Sequence, residues 1–333
     1  MLKDGGASRM TPDPDISVVV PVYGCCSTLS ELLSRLASTF SESERSYEVI
    51  LVDDRSPDDT WTRIEELAQI NSHLVGLRLS RNFGQHAAIA AGLEQARGQK
   101  VIVMDCDLQD PPEVIPELLE HANNHDVVTA RRLGNYQHLS RRLVARVYAR
   151  VFQLFSGIPV DPAEGSFSVL DRKVVDAFLM LKERNGHYLM VLRWLGFSQI
   201  SVSYLRSRRK GSVSSYSLRR QLRHGLDGMM FHSTRVLNLV VAFGFMIALV
   251  GVAFASFAIY QKATGQVVAG WTSLVTIFAM FAGSIITIQG VIGVYVSNMF
   301  VEVKRRPRYV IAEQVGCLNG EDRPERDPGG NLH

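Results

Sequence analysis

Cysteine is scarce in this chain: 333 residues contain four, Cys25, Cys26, Cys106 and Cys317. They show no metal-ligand spacing, and a chain of this length buries a core without disulfides. The N-terminal stretch MLKDGGASRMTPDPD has no apolar core, so no secretory signal is expected. No G-x-G-x-x-G follows the first apolar run, where the chain reads PVYGCCSTL, and this argues against a nicotinamide-dinucleotide enzyme. Internal repeats and low-complexity tracts are missing too, apart from a polar tail after about Gly316 that is expected to be disordered.

The most informative absence is of charge. Arg235 and Lys262 bracket an uncharged run from Val236 to Gln261, and no charged residue occurs from Ala263 to Val301. A bilayer core needs about 20 apolar residues, so each run is long enough to span one. The alternative, two long helices buried in a soluble core, fits less well because such helices normally carry a charged face. The connection Thr264–Gly270 has no Lys or Arg, whereas Arg219, Arg220, Arg223 and Arg235 precede the first run and Lys304, Arg305, Arg306 and Arg308 follow the second. The positive-inside rule then places both ends in the cytoplasm, where the cysteines are expected to stay reduced. A net charge of +3 says little by itself, but its clustering beside the runs fits an anionic membrane surface, and no nucleic-acid partner is expected.

From Ile16 to about Ala130 short β-branched runs alternate with helical patterns: ISVVVPV, YEVILVDD, LVGLRLS, KVIVMD and DVVTA, separated by helices. This reads as a mostly parallel α/β sheet covered on both faces, with ligands at the carboxyl ends of its strands. Acidic residues close two of these strands, Asp53 and Asp54 after the second, Asp105 and Asp107 after the fourth. One such pair is an ordinary turn or cap; two on one sheet edge suggest a site. Asp105-x-Asp107, with Gln109 as a further oxygen donor, suits Mg²⁺ or Mn²⁺, ions that commonly bridge to substrate phosphates. Transfer of a glycosyl or phosphoryl group from a nucleotide donor follows as the reaction class. Arg81, after the third strand, can pair with a phosphate, and Gly84 and Gln85 begin a helix whose N-terminus favours anions. Pro111 and Pro112 suit the first turn of the next helix, which Asp110 is placed to cap. Beyond Arg131, a helix rich in arginine covers Leu139 to Phe155, and SLRRQLRHGLDGMMF has the profile of a helix lying in the membrane interface.

The motifs VPVYG, VDDRSPDDT, SRNFGQHAAIAAGL, DCDLQDPPE, DPAEGSFSVLDRKVV, SYSLRRQL and VEVKRRPRY, in this order, resemble family-2 glycosyltransferases of the polyprenyl-phosphate branch, which includes dolichol-phosphate mannose synthase and its bacterial relatives. The resemblance covers roughly Ile16 to Ile311. It implies a GT-A fold, with a mixed, mostly parallel sheet sandwiched by helices, and an inverting, non-processive transfer of a sugar from a nucleotide-sugar, a UDP-sugar being favoured, to polyprenyl (undecaprenyl) phosphate. Carried over by position, it implies that Pro21 and Tyr23 border the nucleotide and Asp53 reads the base. Asp105 lies near the ribose and diphosphate, Asp107 and Gln109 hold the metal, Arg131, Arg208 and Tyr216 meet the lipid phosphate, and Asp161 faces the acceptor. A polyprenyl phosphate is already ionised at neutral pH, so Asp161 has no proton it must remove, and orientation is as good a role as base catalysis. The implied organisation is a flexible N-terminus (1–15), a cytoplasmic glycosyltransferase domain (16–216), an interfacial helix (217–233), membrane helices over 234–261 and 271–300, and a cytoplasmic tail (301–333). It also implies a homo-oligomer, plausibly a tetramer, for which Gly283, Ser284, Gly290 and Gly293 permit close helix packing.

The chain departs from the family at several points. GSVSSY, from Gly211 to Tyr216, has Ser215 where many relatives carry lysine; Glu164 adds a carboxylate able to contact the sugar; and Val294 replaces a membrane-embedded glutamate. A processive polysaccharide synthase is disfavoured because Met190 stands where its Q-x-x-R-W motif, here ending in Arg193-Trp194, needs glutamine. An inactive membrane scaffold has no need of a tight acidic cluster.

Overall fold

The computed structural model describes residues 13–133 apart from 42 and 44, then 161, 163–181, 187–205, part of the stretch 240–264, 270–304 and 306–316. The chain divides into two compact units: residues 1–136, 162–213 and 307–333 form one, and residues 137–161 and 214–306 the other.

The first unit is built on an eight-stranded mixed sheet. Its elements are β1 (Ile16–Val22), α1 (Leu29–Ser41), β2 (Tyr47–Asp53), α2 (Thr60–Ile70), β3 (Leu74–Leu79), α3 (Gln85–Gln95), β4 (Lys100–Val103), a 3₁₀ turn (Pro112–Val114), α4 (Ile115–His121) and β5 (Val127–Leu133). Then come β6 (Glu164–Asp171), α5 (Arg172–Met180), α6 (Tyr188–Leu195), β7 (Gln199–Leu205) and, after the second unit, β8 (Ile311–Val315). The spatial order is β7-β5-β6-β4-β1-β2-β3-β8. Strands β4, β1, β2 and β3 run parallel, β5 and β7 run parallel, and β6 and β8 are antiparallel to their neighbours.

Period-two alternation explains why helices cover both faces. Val18, Val20 and Val22 of β1, with Val49 and Leu51 of β2, pack in one layer with α1, α2 and α4. Val19, Ile50 and Val52 point the other way, into the layer of α3, α5 and α6. Helix α3 lies close on β1 because Gly92 has no side chain; a Cβ there would stand 2.3 Å from Val19 Cγ1. That contact fixes the helix whose first residue, Gln85, reaches the sheet edge described below.

The strands and helices expected between Ile16 and Ala130 are all present. The mixed, mostly parallel sheet is as expected; DPAEGSFSVLD contains the strand that makes it mixed, β6, inserted antiparallel between β4 and β5. Part of the 301–333 segment, expected as a tail, is β8, and Tyr309 just before it hydrogen-bonds Glu94 of α3.

In the second unit, α7 (Trp271–Val303) is one helix of 33 residues, and shorter helical stretches lie within 240–260. Phe278, Ile286, Val296 and Phe300 on α7 are exposed. Over the described residues alone no helix is long and apolar enough to cross a membrane, so the spans over 234–261 and 271–300 stand as expectations from the sequence. The basic helix from Leu139 to Phe155, the interfacial helix over 217–233, Arg208, Tyr216 and Cys317 lie outside the described residues.

Candidate active site

Parallel strands β4, β1, β2 and β3 end on one edge, so the segments that follow them converge. Pro21 is buried within β1, and Tyr23 just beyond it is 54% exposed. Asp53, the last residue of β2, is fully enclosed: Oδ1 accepts from the Ser56 amide at 2.9 Å, and Oδ2 lies 3.6 Å from Arg78 Nε. Ser56 Oγ in turn accepts from the Gly24 amide at 3.0 Å, which ties the loop after β2 to the loop after β1. Asp54 accepts the amides of Phe83 and Gly84 at 2.7 and 2.8 Å and so fixes the start of α3. Gly84 has φ +95°, a backbone conformation that other residues rarely adopt. Burial pushes the Asp54 carboxyl above its usual range, partly offset by those two amides. Arg81 lies with its guanidinium 4.1 Å from the Phe83 ring centroid, on the surface of the same edge.

Asp105 stands just beyond β4, with 24% of its side chain exposed. Its Oδ1 accepts from Gln85 Nε2 at 2.7 Å and from Ser166 Oγ at 2.8 Å, while Arg132 Nη2 is 4.0 Å from Oδ2. Burial, and next the charge of Asp110, push its carboxyl up to about 6, and Asp107 adds to the repulsion. Asp107 accepts the Gln109 amide at 3.1 Å, and Gln109 itself is buried.

Asp110 corrects one expectation. It caps nothing: the turn over Pro112–Val114 begins at Pro111 with no side-chain cap. Asp110 is fully buried instead, accepting from the Tyr204 hydroxyl of β7, with Arg132 Nη2 3.6 Å away. Its Oδ2 has no hydrogen-bond partner among the described residues. Burial lowers the Arg132 guanidinium, but Asp110, Tyr204 and Asp105 outweigh that and hold it above the ordinary arginine value. Burial and Asp110 push the Tyr204 phenol above its ordinary range.

Sequence reasoning named Arg131 for the lipid phosphate and did not find its neighbour Arg132. On β5 the side chains alternate, and the half-buried Arg132 is the one near Asp105 and Asp110, whereas Arg131 is exposed. Gly165 leaves the room Arg132 occupies, since a Cβ there would lie 2.3 Å from its Nη2. Strand parity was the available signal. Glu164 is a second correction: its oxygens are taken by Arg193 Nη2 at 2.5 Å and Ser201 Oγ at 2.6 Å, which makes it a brace between β6, α6 and β7. Asp161 belongs to the second unit and is half-buried.

The cysteines correct the third expectation. Cys25 and Cys106 form a disulfide, Cα–Cα 6.3 Å, while Cys26 is free. Neighbouring parallel strands β1 and β4 carry their following loops side by side, an adjacency that a separation of 81 residues conceals in the sequence. Thr28 Oγ1 also donates to the Cys106 carbonyl at 2.8 Å.

Among the described residues no group of three or more His, Cys, Asp and Glu is arranged to enclose a metal. A divalent ion carried on a diphosphate needs only one or two protein carboxylates, and the half-buried, mutually repelling Asp105 and Asp107 fit that requirement.

Comparison with known proteins gives a consistent picture. The model of "Glycosyl transferase family 2" matches residues 17–179. An uncharacterised glycosyltransferase of Bacillus subtilis is 32% identical over 306 residues, covering 91% of this chain and 95% of that protein. The undecaprenyl-phosphate 4-deoxy-4-formamido-L-arabinose transferase of Proteus mirabilis is 31% identical over 317 residues, covering 94% and 97%. The protein of the same name from Pseudomonas fluorescens is 34% identical over 304 residues, covering 89% and 88%.

Proposed function

Because the chain belongs to glycosyl transferase family 2 and is a glycosyltransferase of GT-A-like fold, we propose that it transfers a sugar, with inversion, from a nucleotide-sugar to undecaprenyl phosphate at the cytoplasmic membrane face. The observation that carries this reading is the carboxylate cluster at the β4 edge, where burial and like charge push Asp105 up to about 6. Mg²⁺ or Mn²⁺, held by Asp105, Asp107 and Gln109, would neutralise the diphosphate leaving group. Gln85 and Ser166 orient Asp105, and Arg132, 4.0 Å from its Oδ2, adds positive charge beside it. Pro21, Tyr23 and Arg81 border the nucleotide, and Arg131, Arg208 and Tyr216 are assigned to the lipid phosphate.

The acceptor follows from the relatives whose names specify an undecaprenyl-phosphate sugar transferase. An ionised phosphate oxygen attacks without losing a proton, so Asp161 orients the acceptor. Membrane attachment rests on the uncharged runs Val236–Gln261 and Ala263–Val301, each longer than the about 20 residues a bilayer core needs. Association of copies through the membrane helices completes the reading; a Cβ added at Gly290 or Gly293 would meet nothing within 4 Å, which leaves room for a neighbouring helix.

The test is a panel of radiolabelled nucleotide-sugars, UDP-sugars first, given to the purified protein with undecaprenyl phosphate and Mg²⁺ or Mn²⁺. The expected result is one lipid product whose mass equals undecaprenyl phosphate plus one sugar, lost on chelation. Failure with every donor sinks the reading, and products with several sugars would indicate a polymerising enzyme.

A further inference from the structure

Three charged residues stand in one cross-strand row at the β2–β3–β8 edge. Asp53 is paired in register with Arg78, and Arg78 with Glu313. Side chains opposite one another on neighbouring strands share a face and interact directly. Arg78 Nη1 lies 2.8 Å from Glu313 Oε1, and its Nε lies 3.6 Å from Asp53 Oδ2. Trp61 of α2 closes the outer end: its Nε1–H donates to Glu313 Oε2 at 3.1 Å, and the Arg78 guanidinium lies 5.6 Å from the Trp61 ring centroid.

The inner end of the row leads to the nucleotide loops. Asp53 is enclosed, and it acts on the loops through what it holds. It holds the Ser56 amide, Ser56 holds the Gly24 amide, and Gly24 adjoins the exposed Tyr23. Arg78 Nε and Asp53 Oδ2 have no hydrogen-bond partner among the described residues, so the row depends on charge and on the anchorage of Arg78 at its far side. Glu313 provides that anchorage from β8, the strand that follows α7 in the chain.

We infer that Arg78 and Glu313 are positioning residues for the nucleotide: β8 steadies Arg78, and Arg78 holds Asp53 in the pose that joins the loops at Ser56 and Gly24. The inference rests on the glycosyltransferase reading and assigns β8 a part in donor affinity rather than in the transfer step. Among the described residues, Asp53, Arg78 and Glu313 bond to neither Asp105 nor Asp110, so loss of the row should register in donor binding.

The experiment measures binding of UDP, with GDP alongside, to the full-length protein in detergent with Mn²⁺, together with steady-state kinetics. Glu313→Gln is expected to raise the nucleotide Kd and the donor KM by roughly five- to tenfold, with kcat and the acceptor KM within about twofold. Arg78→Lys keeps the charge but loses the fork and should show a smaller rise. Trp61→Phe, which removes a bond to Glu313 but leaves Arg78–Glu313 intact, should stay within about twofold of wild type. Unchanged nucleotide affinity in both Glu313→Gln and Arg78→Lys overturns the inference while leaving the glycosyltransferase reading intact. A Trp61→Phe effect equal to that of Glu313→Gln also overturns it, because attachment of β8 in general would then be the cause. Wild-type protein that binds neither nucleotide overturns both.

Discussion

The ends of β2 and β4 carry the same sequence signal, an apolar run closed by acidic residues, and the protein treats them in opposite ways. After β2 the carboxylates are engaged by the chain itself: Asp53 by the Ser56 amide and Asp54 by those of Phe83 and Gly84. After β4, Asp105, Asp107 and Asp110 crowd one another, and Arg132 lies beyond hydrogen-bonding distance of both Asp105 and Asp110. A carboxylate satisfied by backbone amides is a scaffold. One held among like charges at a partly open edge is suited to recruit a cation.

The widest separation between the two regions should come from removing their carboxylates. Asp107→Ala and Asp105→Asn are expected to lower kcat by about 10² to 10³ or more, the range seen when one preorganised electrostatic group is lost from a transition state. Thermal melting of these variants without metal should be no lower than that of wild type, since the removed charge was already costly where it stood. A variant that melts early, or one that keeps wild-type kcat, would place the β4 cluster with the scaffold.

Asp54→Ala tests the other side. It leaves the Phe83 and Gly84 amides without their charged acceptor and frees the start of α3. The expected cost is about 2 kcal/mol of stability, on the scale of hydrogen bonds to a charged partner. The fall in activity should follow the fall in folded fraction. A thermal scan alongside kcat for the folded protein separates the two; unchanged melting would show that Asp54 holds nothing.

Much of this division was invisible in the sequence, and particular residues show why. Strands β1 to β5 and the helices between them were legible because burial on both faces writes continuous apolar runs and each helix repeats its own period. Strand β6 was not, because only Phe167–Leu170 is fully buried and Glu164, Gly165 and Ser166 ahead of it look like loop. Strand β8 pairs with β3 across more than two hundred positions, a distance at which no local pattern reports. At the site, Asp105 and Asp107 were legible from spacing, but Ser166, Gln85 and Arg132 reach Asp105 through tertiary packing. Arg132 was legible only through strand parity, and Asp110 looked like a cap because its partner Tyr204 lies 94 residues away.

The smallest effect, and the one that sharpens the contrast most directly, is in pH. Asp105 titrates at about 6 in the folded metal-free protein, against about 3.9 for an unfolded aspartate. Between those values the unfolded chain has given up a proton that the folded chain still holds. Stability contributed by this group therefore falls as pH rises from about 4, and the loss is complete above about 6. A cation held by the ionised carboxylate would reverse that slope. Thermal melting of the metal-free protein across pH 5 to 7 should thus show a decline that Asp105→Asn flattens and Mn²⁺ removes, with the gain from Mn²⁺ larger at the upper end. If Mn²⁺ stabilises wild type and Asp105→Asn equally at every pH, the ion binds elsewhere, and the β4 cluster loses the property that distinguishes it from the end of β2.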